Sequence, residues 1–376
     1  MRRVVLVLAL AIGGCGTDAS STSSTGGSGG SGGSATTGGA GGVGGAGGTT
    51  ATGGAGGCVA DLKADAENCG ACGKSCFGGT CTDGLCGPAV LDAPKNGTPR
   101  TIAANDSAVF WGDSIGFVKR MDLPHGTPKQ IGAKAGVIDD LVIDANNAYW
   151  VSGNTISGYQ VPLDGGTAIT LFNALNSSSS VAVSAKDVYV GANGSPGAIR
   201  RYPIGGGPYG ALVAANWVAA LVVDGDVAYW ISYDYSQQEP STVSSIALAG
   251  GTRKDLATNV GYVVGLAVDA THVYWVDGNG GTVSRVPKGG GTPATIASGL
   301  DGPRQVAVRG ELAFVTVEGA SSGTGTIVQV PISGGSPVVI ASDQDHPGDV
   351  CATAAGVFWV NAGTSGSGGS VMALAR

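Results

Sequence analysis

Histidine is scarce: His125, His272 and His346 are the only three in a chain of 376 residues. That leaves little material for histidine-based proton transfer or for a multi-histidine metal centre. Charge is scarce too, at 12% of residues, and its balance is acidic, with a formal net charge of −7. A chain with so little positive charge cannot neutralise a run of phosphates, so no nucleic-acid partner is expected and an anionic lipid surface is disfavoured. No apolar run approaches the roughly 20 residues needed to cross a bilayer as a helix. The signatures of a P-loop, a G-x-S-x-G nucleophile and an H-E-x-x-H metal helix are all missing. The many Gly-Gly pairs do not open helices and so make no phosphate cradle. Neither a cofactor nor a metal is expected, and an enzyme is the less favoured class.

Glycine, in contrast, is abundant: 69 residues, beside 16 prolines, in a chain that is still 43% hydrophobic. A packed core must therefore coexist with a low-complexity part. The low-complexity part is N-terminal. Arg2 and Arg3 precede an apolar run from Val4 to Ile12, then Gly13-Gly14-Cys15, which reads as a secretory signal over residues 1–14. The placement of Cys15 behind two small residues resembles the lipobox of bacterial lipoproteins. That resemblance implies a diacylglycerol on Cys15, a mature chain starting there, and, with Gly16 next rather than an acidic residue, an outer-membrane or cell-surface location. An ordinary signal peptide with Cys15 discarded is the plainer alternative. Residues 16–57 are Gly, Ser, Thr or Ala except Asp18 and Val43. With nothing to bury, residues 15–57 are expected to be a flexible tether, spanning roughly 35–40 Å as a random coil.

Six cysteines follow between residues 58 and 86: Cys58, Cys69, Cys72, Cys76, Cys81 and Cys86. An even count in an exported chain reads as a disulfide framework whose pairing the sequence leaves open. The run Asn68-Cys69-Gly70-Ala71-Cys72-Gly73-Lys74-Ser75-Cys76 resembles the small Cys-rich modules of Stig1-like type. Zinc at Cys69 and Cys72 is the rival reading, but the other spacings do not repeat a C-x2-C pair. Cys351, alone in an apolar strand-like run, is expected to be a buried small hydrophobe.

Residues 88–376 carry an internal repeat. An apolar-aromatic step recurs at Val109-Phe110-Trp111, Ala148-Tyr149-Trp150, Val188-Tyr189-Val190, Ala228-Tyr229-Trp230, Val273-Tyr274-Trp275, Ala313-Phe314-Val315 and Val357-Phe358-Trp359. The period is roughly 40 residues, and each unit holds four short strands between Gly, Asn and Asp turns, the size of a propeller blade. The expected fold is all-β: a seven-bladed β-propeller of four-stranded blades, preceded by a disordered tether and a small disulfide-rich module. The step Tyr274-Trp275-Val276-Asp277 resembles the YWTD signature of LDL-receptor-type propellers, and the phasing resembles NHL-like propellers. YWTD propellers have six blades, so the count of seven rests on the repeats alone. The last unit lacks a fourth strand, and residues 88–93 resemble one. Val90 and Leu91 are therefore expected to pair antiparallel beside Val371 to Leu374 and close the ring.

Asp106, Asp144, Asp187, Asp224 and Asp269 recur after first strands and are expected to cap turns. Asp277-Gly278-Asn279-Gly280 starts like a calcium loop but lacks later acidic ligands, and reads as a turn. Residues that do not repeat are better site candidates. Loops entering first strands and leaving second strands share one face, where Asp113, Asp139, Asp140, Asp277 and Asp345 are expected with the aromatic Tyr235. Trp217, Tyr233, Tyr262, Arg304 and His346 are the expected ligand contacts, because aromatics and arginine dominate binding hot spots. The expected function is a non-catalytic cell-surface lipoprotein whose monomeric propeller binds a protein, peptide or glycan. The alternative is a propeller enzyme of lactonase or lyase type with a metal at the channel mouth, for which glutamates at the rim are lacking.

Overall fold

The aromatic doublets explain why the repeat builds a ring. Adjacent residues of a strand point to opposite faces of its sheet, so the two rings of a doublet serve two different interfaces. Phe110 packs towards blade 2 and Trp111 towards blade 7. Tyr229 packs towards blade 5 and Trp230 towards blade 3. The buried apolar residues accordingly divide into seven clusters, one in each wedge between neighbouring blades. Each fully buried large side chain contributes roughly 1.5–3 kcal/mol.

The computed structural model describes residues 61–153, 157–173, 178–193, 197–232, 241–363 and 369–376. Cys15, Cys58, Tyr233 and Tyr235 lie outside the described residues, as does the segment expected to be a signal and tether. The fold is all-β, with seven four-stranded antiparallel sheets arranged as propeller blades. The innermost strands are Pro99–Ala104, Ile138–Ile143, Ser178–Val183, Val218–Asp224, Val263–Val268, Pro303–Arg309 and Pro347–Ala352. They contact one another in order around the axis, and the seventh contacts the first. Blade 7 takes its outer strand, Ala89–Asp92, from the N-terminal side. Ala89 pairs with Ala373, Val90 with Met372 and Asp92 with Val371, antiparallel, with Leu91 at a register shift. Both ends of the ring thus meet in one sheet, as the sequence led us to expect.

The turns that follow innermost strands are capped, but not always by the residue expected. Asp144 accepts the Asn146 and Asn147 amides, both at 2.7 Å, and Asp269 accepts those of Thr271 and His272 at 2.6 and 2.7 Å. In blade 1 the cap is Asn105, with amides at 2.9 Å, while Asp106 instead accepts the Ala354 amide of blade 7 at 2.7 Å. In blade 3 Ser184 caps the turn, receiving the Asp187 amide. A cap must precede the amides it accepts by two or three residues, which Asp187 does not, while the Asp106 carboxylate is engaged by blade 7 instead.

The Cys-rich segment is docked on the ring. Cys69 pairs with Cys81 and Cys76 with Cys86. Cys72 is disulfide-bonded as well, and so is Cys351. Cys351 is fully buried, as expected, but it is not a free hydrophobe: its sulfur is committed to a covalent bond. Phe77 packs at a tilt against Phe358 of blade 7, with ring centroids 5.7 Å apart, and Glu67 meets His125 of blade 1 at 2.7 Å. His125 lies between the third and fourth strands of blade 1. The segment therefore covers blades 7 and 1 on the face where innermost strands end.

Candidate functional site at the mouth of the ring

On the opposite face, where innermost strands begin, blades 1, 5, 6 and 7 repeat one local device. The residue immediately before the strand offers its carbonyl to an amide just beyond the second strand. Thr98 receives Ser114, Tyr262 receives Gly278, Gly302 receives Glu318 and His346 receives Ala362, at 2.9–3.0 Å. In blade 6 this position has φ +71 and is filled by glycine, Gly302, which alone adopts that region without a steric penalty. Trp217 and His346 hold the equivalent position in blades 4 and 7 with φ +33 and +54. A left-handed backbone costs an ordinary residue about 1–2 kcal/mol. Such strain clusters where a side chain is needed for recognition.

Four of the five expected contact residues are described, and all four are half-buried at this mouth. The Arg304 guanidinium donates two hydrogen bonds to Glu318 Oε2, the Nε one at 2.7 Å. His346 Nδ1 lies 2.9 Å from Asp345 Oδ1, which also accepts the Ser322 hydroxyl at 2.6 Å. Tyr262 donates its amide to Asp277 Oδ1 at 3.1 Å. The same oxygen accepts the Asn279 and Gly280 amides, so Asp277 closes the turn read from its glycine-rich sequence.

Two expectations need correction. Asp140 is fully buried within its innermost strand rather than on the rim. Its oxygens accept the Leu141 amide at 2.9 Å and the Val181 amide of blade 3 at 2.8 Å, clamping two blades together. Burial pushes its carboxyl well above the ordinary range, opposed by the Val181 amide and reinforced by the charge of Asp349. The rim also does contain a glutamate, Glu318. It is the first residue after the second strand of blade 6, Leu312–Val317, so the loop rule that selected the other candidates includes it.

Arg100 was missed in the same way. It follows Pro99 at the start of blade 1 as Arg304 follows Pro303 in blade 6. Arg100 lowers the pKa of Asp139, although burial of Asp139 dominates and the net shift is upward. Asp139 accepts the Gly153 amide at 2.5 Å. Asp113 is almost fully buried and accepts the Ile115 and Phe117 amides at 3.0 and 2.9 Å. At this end of blades 7, 1 and 2, four buried polar atoms have no partner among the described residues: Arg100 Nε, Asp113 Oδ2, Ser152 Oγ and Asn361 Oδ1. Among the described residues, the trio of potential metal ligands within 4.8 Å of one another is Cys69, Cys76 and Cys86. Disulfide sulfurs are not the thiolates that zinc requires.

No protein-family model matches the sequence, and no curated protein matches it either. The likeness is to solved structures. A streptogramin B lyase structure aligns with TM-score 0.61 and 12% identity, over 76% of this chain and 97% of that one. The WD40 β-propeller domain of Doa1 aligns with TM-score 0.58 and 14% identity, over 76% and 96%. A chain of a nidogen/laminin complex aligns with TM-score 0.50 and 19% identity, over 60% and 89%. The chain is a seven-bladed β-propeller with a disulfide-bonded Cys-rich segment, and these likenesses concern the fold alone.

Proposed function

We propose that this protein is a non-catalytic, lipid-anchored cell-surface binding protein whose propeller mouth captures its partner. The observation that carries the reading is the retention of Trp217 and His346 at positions whose backbone suits glycine. Neither residue completes a wedge core, so the energy stored there serves what their side chains can touch. The Arg304 guanidinium and the Glu318 carboxylate hold each other in a fixed orientation at the mouth, and Asp345 does the same for the His346 ring. Fixed orientation of donors and acceptors is what recognition of a partner requires. Anchoring through Cys15 would keep the ring at the surface while the tether lets it reorient.

The test is a Trp217→Ala/Tyr262→Ala double variant against immobilised arrays of proteins, peptides and glycans. The reading expects mouth-dependent signals to vanish while the melting temperature stays within a few degrees. Binding that survives the double change overturns it, as does metal-dependent lactone hydrolysis by the purified wild-type chain.

A further inference from the structure

We infer that the ligand of the mouth is a neutral, hydroxyl-rich glycan; this rests on the binding reading above and narrows it to one chemical class. Two independent features converge on it. First, the charges on blades 6 and 7 are internally satisfied: the Arg304 guanidinium is held by Glu318, and Asp345 by Ser322 and His346. A polyanion or polycation would have to break those pairs to gain its own. An oriented carboxylate beside an oriented guanidinium instead offers an acceptor and donors side by side, which matches a hydroxyl that both gives and accepts.

Second, aromatic rings stand at the same position of neighbouring blades, Trp217 in blade 4 and Tyr262 in blade 5. Such rings provide flat apolar faces with little conformational entropy to lose, suited to the CH faces of a pyranose. Trp217 is held there against its backbone preference.

The decisive experiment titrates the purified chain with neutral gluco-, manno- and galacto-oligosaccharides, a heparin oligosaccharide, a chitosan oligomer and a random peptide library. Binding is read by calorimetry and by tryptophan fluorescence. A neutral oligosaccharide should bind, with an affinity changing less than about twofold between about 50 and about 500 mM salt, because no net charge is screened. Trp217→Gly removes the ring and relieves the backbone together, so affinity should fall about tenfold or more while the melting temperature is kept. Tyr262→Phe, which keeps the ring, should retain binding where Tyr262→Ala does not. Failure of every neutral oligosaccharide to bind overturns the glycan assignment, and so does equal binding by Trp217→Gly and Tyr262→Ala. Heparin, chitosan or peptide binding that depends on Trp217 overturns the glycan assignment but leaves the binding mouth standing.

Discussion

The Asp349 carboxylate accepts the Ile102 amide at 2.8 Å across the seam where the last blade meets the first. The same oxygen accepts the Thr101 hydroxyl at 3.0 Å, and the other takes the Val350 amide at 2.9 Å. Asp349 is fully buried and occupies in blade 7 the position that Asp140 holds in blade 2. The two residues are covalently distant parts of one device, a carboxylate stitching a blade to the next.

Removing the seam carboxylate should therefore be severe. Asp349→Ala leaves the amides of Ile102 and Val350 and the Thr101 hydroxyl buried without an acceptor, at roughly 3 kcal/mol or more. Denaturant unfolding measures it directly. A loss under about 0.5 kcal/mol would show that the seam is held by apolar packing alone.

Backbone strain at the mouth gives a second expectation. His346→Gly should be more stable than His346→Ala by about 1 kcal/mol, the reverse of the usual order, because only the glycine suits φ +54. Gly302→Ala should lose a similar amount, since a Cβ there meets only Glu318 Cβ at 3.7 Å and the penalty is conformational. Thermal melts of the three variants decide it.

Acidity acts in opposite directions at two aspartates. Asp140 has a raised folded pKa, so its contribution is complete below the ordinary carboxylate range and is lost as pH rises through the folded value. For Asp269 burial acts to raise the pKa, but bonds from Tyr274, Thr271 and His272 prevail and hold it below the usual value. Its contribution is present above the ordinary range and lost as pH falls through the folded one. Melting temperature against pH should lose part of its decline with rising pH in Asp140→Asn and part of its decline with falling pH in Asp269→Asn. Unchanged profiles would refute both assignments.

Cysteine parity links the fold to the proposed anchor. The chain has eight cysteines, and the six described ones are all disulfide-bonded. A thioether-linked lipid on Cys15 leaves an odd number, seven. The acylated protein should then show one free thiol per chain, or a disulfide between two chains, whereas an unacylated chain that keeps Cys15 can show none. Intact mass after thiol alkylation distinguishes the cases, and Cys15→Ser should release the protein from membranes.

The fold was legible because its determinants are local and repeated. A Phe or Tyr followed by Trp or Val announces a strand with a wedge on either side, and seven such steps announce seven wedges. The pairing of Ala89–Asp92 was legible because a missing strand at one end matched a spare one at the other. The bond to Cys351 was not, since it sits in a strand whose pattern is complete without it. Caps were misplaced in blades 1 and 3 because Asn105 and Ser184 do the same work as aspartate from one and three residues earlier. At the mouth, Trp217 and His346 stood out by breaking the repeat. Their positive φ could have been suspected from Gly302 in register, and Arg100 from its shared Pro-Arg step with Arg304. The clamp at Asp140 was hidden, because a strand one residue out of phase would have exposed it.

The location of the Cys-rich segment determines how the ring would carry mechanical load. That segment covers the face away from the mouth, and the chain leaves it directly into Ala89–Asp92, which runs towards the mouth along Ser370–Ala375. A pull from the N-terminal side, with the mouth held by a ligand, acts along these strands. Inter-strand hydrogen bonds lie across that direction, so they resist together in shear instead of peeling apart one by one. Upstream, the Cys76–Cys86 bond and the Phe77 contact with Phe358 would take part of the tension before it reaches the closing strand. The joint that seals the ring is thus loaded in shear whenever the chain that holds it draws it off a surface.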